Sequence, residues 1–174
     1  WVRRKQSTRQ TRLDIEEMAR RHQVPRSNII VDEDGVGGGV KDETPGIKGF
    51  INNSKPIEQK KTSTPNDKAY QQKKHNYANL KTQCYFMLAD YVNLGKIAID
   101  FDMDPEDKKN LIEEMEQIKQ KDADKDGTLK IVPKDEVKKR LGRSPDYSDG
   151  IMLRMFFEIC RFVTPEVSRA RIYG

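Results

Sequence analysis

The sequence predicts an α/β fold, because segments with helical spacing of apolar residues alternate with short apolar runs that suit strands. Residues 9–22 show the first helical pattern. Its apolar side is formed by Leu13, Ile15, Met18 and Ala19. Residues 29–31 form a continuous apolar run between turn signals, which is typical of a strand buried on both faces. A helix followed by such a strand indicates a sheet covered by helices.

Turn signals separate the next elements. The glycine-rich residues 35–39 predict a turn, and residues 47–52 predict a second short strand. Residues 76–93 repeat apolar side chains at spacings of three and four, which predicts a helix that Gly95 ends. Residues 96–101 then predict a third strand.

The second half begins with a clearly marked helix, since Asp104 suits an N-cap and is followed by a proline and acids. Residues 118–134 predict a β-hairpin that turns at an Asp-Gly pair. A short exposed helix over 134–142 follows. A long apolar helix then starts near Ser144.

The composition is lean in apolar residues and rich in charge: 34% of the 174 residues are hydrophobic and 35% are charged. It predicts one compact domain interrupted by a solvated segment. Residues 54–75 fit that segment, because they hold six lysines and only three apolar side chains. We expect a flexible basic loop whose lysines either neutralise backbone phosphates or merely keep the loop soluble. They are Lys55, Lys60, Lys61, Lys68, Lys73 and Lys74, and Arg143 is a further candidate phosphate contact.

Charge and cysteine content limit the classes of protein. The net charge of +5 permits a nucleic-acid partner without requiring one. Cys84 and Cys160 both lie in apolar helical patterns, which favours buried thiols and a reducing compartment over a disulfide. No apolar run approaches the length of a membrane span and no signal-peptide pattern opens the chain, so we expect a soluble cytoplasmic protein without a membrane partner.

The stretch VDEDGVGGGV, which begins at Val31, places three acids where a buried strand is predicted to end. Sheets of this class hold ligands at the carboxyl ends of strands, and Mg²⁺ takes carboxylate oxygens from a rigid element. The glycines allow a close backbone approach. The stretch has neither the ending of a phosphate loop nor a dinucleotide fingerprint, so nucleotide binding is excluded. Asp32 is therefore a candidate metal ligand, against the alternative of a solvated turn.

Asp146 and Asp149 form a second candidate pair. They are three residues apart at the start of the last predicted helix and so share one face. The helix dipole favours acids in a first turn, which accounts for them without a function. Against this, Asp149 leads directly into an apolar helix that must pack on the sheet, so its carboxylate can reach an acid at a strand end.

Two other metal patterns are weak. Residues 122–133 resemble the start of a calcium loop, but Pro133 stands where the closing glutamate belongs, which favours a hairpin turn. His22 and His75 lie far from any cysteine pair, so there is no zinc spacing.

Four stretches carry a family resemblance: VDEDGVGGGV, GFINNSKP, YANLKTQCYFMLADYVNLGKIAI and GRSPDYSDGIMLRMFFE. In this order they resemble the C-terminal nuclease domain of tailed-phage terminase large subunits, over residues 12–158. The resemblance implies an RNase H-like α/β fold with a central mixed sheet flanked by helices. It also implies that residues 1–174 are one partial nuclease domain, whose N-terminal strand, with a first acid, and whose ATPase domain lie upstream.

The resemblance assigns the site residue by residue. It places catalytic metal ligands at Asp32 and Asp149, with Asp34 and Asp146 held in reserve. These acids would hold one or two Mg²⁺ or Mn²⁺ ions and cut double-stranded DNA concatemers by two-metal hydrolysis. Because the first acid is missing, the cluster is incomplete, and the sequence gives no ground to expect activity from this chain alone.

The resemblance also implies partners and a place of action. The partners are double-stranded DNA, the terminase small subunit and the portal. The place is the cytoplasm of a bacterial host during phage assembly, with the gene on a phage or prophage. Two alternatives remain open: another RNase H-like nuclease such as a junction resolvase, and a non-catalytic domain that docks DNA or a partner.

Overall fold

The computed structural model describes residues 6–35, 37–58, 76–98, 103–122 and 127–161. The first part runs from helix α1 (Thr8–Arg21) through a short 3₁₀ turn to strand β1 (Ile30–Asp32), helix α2 (Gly37–Glu43) and strand β2 (Lys48–Phe50). The predicted helix and both predicted strands of this part are therefore confirmed. Strands β1 and β2 pair in parallel, with Val31 opposite Gly49.

The second part is mainly helical. It contains helices α3 (Leu80–Asn93) and α4 (Pro105–Gln117), then strands β3 (Gln120–Lys121) and β4 (Lys130–Ile131). Helices α5 (Lys134–Leu141) and α6 (Asp146–Arg161) complete the described chain. The predicted hairpin is confirmed, because β3 and β4 pair antiparallel.

Local sequence signals explain where these helices begin and end. The side chain of Asn79 caps α3 by accepting from the Thr82 N–H, and Asp104 caps α4 in the same way through the Glu106 N–H. Gly142 ends α5 in the left-handed conformation that favours glycine.

The sequence predicted a simple turn for the glycine-rich residues 35–39. This prediction is wrong, because α2 begins at Gly37. Packing overrides the poor helix propensity of three successive glycines. Val40 is fully buried and fixes the helix, and a Cβ atom on Gly37 would lie 2.1 Å from the backbone oxygen of Asp32. The glycines are needed because this helix lies directly against its own strand.

The predicted burial of β1 on both faces is wrong, since Ile30 and Val31 are only half-buried. The described residues form two separate two-stranded sheets, so the predicted central mixed sheet is not confirmed. The predicted third strand extends into residues 99–102, which lie outside the described part, and its described residues 96–98 form no strand. The predicted basic loop likewise falls outside the description from residue 59 to residue 75.

The hydrophobic core joins β2, α3 and α6. Its buried members are Phe50, Leu80, Cys84, Tyr85, Met87, Leu88, Met152, Met155 and Ile159. The predicted apolar face of α3 is confirmed through Leu88, whereas Val92 near its end is 49% exposed. Both cysteines are free thiols, and burial raises the pKa of Cys84 to about 12. None of the described helices is both long and apolar enough to cross a membrane.

Candidate functional site

Polar side chains follow both strands of the parallel pair, at the edge where the strands end. Asp32 is the last residue of β1, and Asn52 comes two residues after β2. The side-chain amide of Asn52 donates to Asp32 Oδ1 at 3.0 Å and to Asp34 Oδ2 at 2.8 Å. Its backbone N–H also donates to Asp34 Oδ2, at 2.7 Å. Asn52 therefore holds two carboxylates beside each other at this edge.

Glu33, which lies between Asp32 and Asp34 in the sequence, has a different role. Glu33 Oε1 accepts from the ammonium of Lys41 in α2, at 2.7 Å. Its other carboxylate oxygen occupies space at Gly49, where an added Cβ would lie 1.9 Å from it. Glu33 thus ties β1 to α2. The Asp34 N–H meanwhile donates to Asp32 Oδ1 at 3.1 Å, which keeps these two acids on one turn.

Asp149 lies in the first turn of α6 and is surrounded by donors from other elements. Its Oδ1 accepts from the Tyr85 hydroxyl at 2.7 Å and lies 2.8 Å from the Lys81 ammonium. Its Oδ2 accepts from the Lys134 ammonium at 2.5 Å. The side chain is only 16% exposed. Donors from two helices, α3 and α5, thus fix the carboxylate of a third.

These contacts set the charge of the group. Burial alone would raise the pKa of Asp149, but the nearby charge of Lys81 and the hydrogen bonds from Lys134, Lys81 and Tyr85 outweigh it and hold that pKa below its usual value. Burial also opposes the charge on Lys134, yet its pKa is raised by Asp149, with smaller contributions from Asp146 and Asp32. The pKa of Lys134 is therefore raised by three of the four predicted acids.

Tyr85 connects Asp149 to the protein interior. Its hydroxyl lies 3.3 Å from Ser148 Oγ, and Ser148 is fully buried. Burial, followed by the charge of Asp149, raises the pKa of Tyr85 far above its ordinary value. The phenol therefore stays protonated and serves as a hydrogen-bond donor to the carboxylate.

A cavity of about 580 Å³ brings the two predicted regions together. Asp34 and Asn52 line one side of it, and Asp149 lines another. Lysines supply much of the remaining polar lining: Lys81, Lys121, Lys130 and Lys134. Asp32 itself borders a neighbouring groove beside α1 and is exposed. The arrangement is a cavity with carboxylates from a strand end and a helix start, surrounded by positive charge.

The other predicted residues lie as follows. Asp146 is exposed at the start of α6. Arg143 is paired with Glu114, which is fully buried, and also donates to the carbonyl oxygen of Asn110 at 3.1 Å. Its guanidinium is thus paired within the protein although 30% of the side chain is exposed, and its role as a phosphate contact stays a prediction. Lys55 is exposed, while Lys60 and Lys61 lie outside the described residues.

The donor chemistry at the cavity suits a hard divalent cation, because Asp34, Asn52 and Asp149 line it and carry carboxylate and amide oxygens. Asp32 lies beside them, since its carboxylate shares the Asn52 amide with Asp34. Within the described ranges, however, no three His, Cys, Asp or Glu side chains are grouped closely enough to hold an ion. The ammonium groups of Lys81 and Lys134 supply the positive charge at Asp149 instead. The residues fit a metal ion on the condition that these two lysines give way to it.

The similarities to known proteins are structural. No protein-family profile matches the chain, and no curated protein matches it. The nuclease domain of the large terminase subunit gp2 of bacterial virus Sf6 is similar, with 26% identity and a TM-score of 0.52, over 72% of this chain and 63% of that one. A mutant of that domain with manganese and beta-thujaplicinol has 25% identity and a TM-score of 0.52, over the same shares.

The chain thus spans less than two thirds of the structures it resembles. The resemblance to a terminase nuclease domain is confirmed, and so is a mixed α/β fold with an RNase H-like neighbour. This similarity supports a nuclease-like role for the chain.

Sequence reasoning missed four side chains of the site: Asn52, Lys81, Tyr85 and Lys134. Two signals were available. Asn52 follows the second strand at the edge where Asp32 ends the first, and parallel strands end together. Lys134 begins α5, where the helix dipole disfavours a cation, so its position calls for another partner. Lys81 and Tyr85 carried no signal, because their contact with Asp149 is made across more than sixty residues.

Proposed function

We propose that this chain carries the catalytic acids of a divalent-metal-dependent endonuclease that cuts double-stranded DNA during phage genome packaging. One observation carries the proposal most directly. Asp149 and the strand-end acid Asp34 line the same lysine-rich cavity, on a fold similar to a terminase nuclease domain. Similar structures were determined with manganese, which agrees with the use of a divalent ion.

Asp32 and Asp149 would hold the ion, with Asp34 and Asp146 as further candidates. When bound, one or two Mg²⁺ or Mn²⁺ ions supply a water of lowered pKa and stabilise charge on the scissile phosphate. The chain's own residues prepare for this. Asn52 keeps Asp32 and Asp34 together, and the lysines and Tyr85 keep Asp149 ionised and oriented.

The lysines have a second use in this proposal. A phosphodiester backbone is a line of negative charge, and Lys121 and Lys130 face the same cavity as Asp149. Lys81 and Lys134 now pair with Asp149, and they would be available to phosphate oxygens if a bound divalent ion took their place at that carboxylate. Contacts of this kind bind the backbone without reading base sequence. The small subunit, the portal, an upstream ATPase domain and the host cytoplasm complete the proposed setting.

Cleavage of supercoiled plasmid tests the proposal. The assay compares this chain with the complete gene product, each with Mn²⁺, Mg²⁺ or EDTA. We expect metal-dependent nicking by the complete product, lost in Asp32→Asn and in Asp149→Asn. Asp135→Asn is the matched control, because Asp135 lies in the first turn of the neighbouring helix and is exposed. Cleavage that survives both site substitutions would contradict the assignment of the acids.

A docking domain without catalysis is the second candidate. It is favoured by the contacts of both Asp149 carboxylate oxygens with lysines, which leave Asp149 already paired. In the described part of the chain, no three His, Cys, Asp or Glu side chains are grouped so that they could hold an ion. DNA binding without cleavage by the complete product would establish it. A strong preference for four-way junctions over linear duplex would point to a junction resolvase instead.

A further inference from the structure

The start of α6 is held by a residue from another helix. Pro145 precedes the helix and has no side-chain acceptor for the first N–H groups, which a helix leaves without internal partners. Glu114 of α4 supplies the acceptor: its Oε2 accepts from the Ser148 N–H at 2.8 Å. A cap that a helix normally takes from its own N-cap residue is thus provided across the core.

Glu114 is well fixed for this task. It is fully buried, and its Oε1 pairs with the guanidinium of Arg143. Arg143 in turn donates to the backbone oxygen and the side-chain oxygen of Asn110, at 3.1 Å and 3.0 Å. A buried carboxylate is costly unless it is paired and hydrogen-bonded, and both conditions are met here. The pair ties the end of α5 and the start of α6 to α4.

The residue that Glu114 holds is next to the proposed metal ligand. Ser148 precedes Asp149, and its hydroxyl lies 3.3 Å from the Tyr85 hydroxyl that donates to Asp149 Oδ1. A chain of contacts therefore runs from Arg143 through Glu114 and Ser148 to Tyr85 and Asp149. If the start of α6 frays, the carboxylate loses its orientation toward the cavity.

We infer that Glu114 is a positioning residue for the proposed nuclease: by capping α6 at Ser148 it sets where the Asp149 carboxylate stands to receive a divalent cation. This inference rests on the proposed function. Outer contacts of this kind hold metal ligands in place, and their loss lowers metal affinity by about tenfold or more.

Two variants separate positioning from general stability. Glu114→Gln keeps the size of the side chain and an oxygen that can accept from the Ser148 N–H, but it removes the charge that faces Arg143, whose guanidinium then has only Glu113, at 3.7 Å, as a carboxylate partner among the described residues. The paired variant Glu114→Leu with Arg143→Met removes both charges, an exchange that often preserves folding, and still leaves the Ser148 N–H without an acceptor. Glu116→Gln on the exposed side of the same helix is the matched control.

Two measurements are made on the complete gene product, without DNA. Amide hydrogen exchange at Ser148 reports the cap in metal-free protein, and calorimetric titration with Mn²⁺ alone reports affinity. We expect exchange at Ser148 to accelerate about tenfold in the paired variant, as for the loss of one buried hydrogen bond, and to change less in Glu114→Gln, whose amide oxygen can still accept from the Ser148 N–H. We expect the Mn²⁺ dissociation constant to rise about tenfold in the paired variant, and Glu116→Gln to match the unsubstituted protein.

Either of two results would overturn the inference alone. Unchanged exchange at Ser148 in the paired variant would show that Glu114 is not the cap. Faster exchange with unchanged Mn²⁺ affinity would show a cap that does not position the ligand. Failure of the unsubstituted protein both to bind Mn²⁺ and to cleave plasmid would overturn the proposed function, and the inference with it.

Discussion

Lys134 Nζ lies 2.5 Å from Oδ2 of Asp149, although the lysine begins α5 and the aspartate lies in the first turn of α6. Lys81 approaches the other carboxylate oxygen at 2.8 Å. Two cations thus meet one half-buried acid at a cavity that Asp34 also lines. This relationship determines how the site should respond to pH, to substitution and to metal.

Acid should weaken the protein through Asp149. The folded pKa of this carboxyl is depressed below its ordinary value of 3.8, so the stability it contributes is present above that value and is lost as the pH falls through the folded pKa. We expect the stability difference between the unsubstituted protein and Asp149→Asn to be constant above about pH 5. Below that pH the unsubstituted protein should lose stability relative to Asp149→Asn. Thermal melting of both proteins across this range measures the effect. A difference that stays constant down to about pH 3 would contradict the role of the lysine contacts.

Tyr85→Phe should weaken both the fold and the site. The substitution removes a donor to a buried carboxylate, and hydrogen bonds to charged groups contribute about 1.5–3 kcal/mol. We expect a loss in this range in denaturant unfolding and a fall of about tenfold in Mn²⁺ affinity.

Tyr147→Phe is the matched control for Tyr85→Phe. The Tyr147 hydroxyl donates to Asp107 at 2.6 Å, so the control also removes one Tyr–Asp hydrogen bond, but outside the cavity. Its Mn²⁺ affinity should equal that of the unsubstituted protein. Equal losses of affinity in the two variants would show that the Tyr85 contact has no special role.

Gly37→Ala should disturb the strand end that carries Asp32. An added Cβ would lie 2.1 Å from the backbone oxygen of Asp32, so either α2 or the end of β1 must move. Forced overpacking of this kind costs about 1–3 kcal/mol, which denaturant unfolding can measure. Gly35→Ala is the control, because nothing lies within 4 Å of its added Cβ. Comparable stability of the two variants would mean that α2 does not pack on Asp32 as described.

Much of the helical structure follows from local signals. The cap at Asp104 and the apolar spacing of α3 were sufficient to predict two helices, because each signal acts within a few residues. Helix α2 could not be predicted this way. Its glycines oppose helix formation, and only packing against β1 and α1, with Gly39 beside Thr8, explains why it forms.

The site residues likewise divide into those that have a local sequence signal and those that do not. Asp32 and Asp149 stood out because one follows an apolar run and the other opens an apolar helix. Their partners did not, since Lys81, Tyr85 and Glu114 reach α6 from helices distant in sequence. A charged residue that pairs only through tertiary contact leaves no periodic signal, which is why Lys81 could not be identified from the sequence.

The most direct test of the central claim is a crystal structure of the complete gene product with Mn²⁺, using the anomalous signal to locate the ion. We expect manganese in the cavity, bound by Asp149 together with Asp32 or Asp34, with Lys134 moved away from Asp149. Saturating Mn²⁺ without an anomalous peak at these acids, and with both lysines still paired to Asp149, would contradict it.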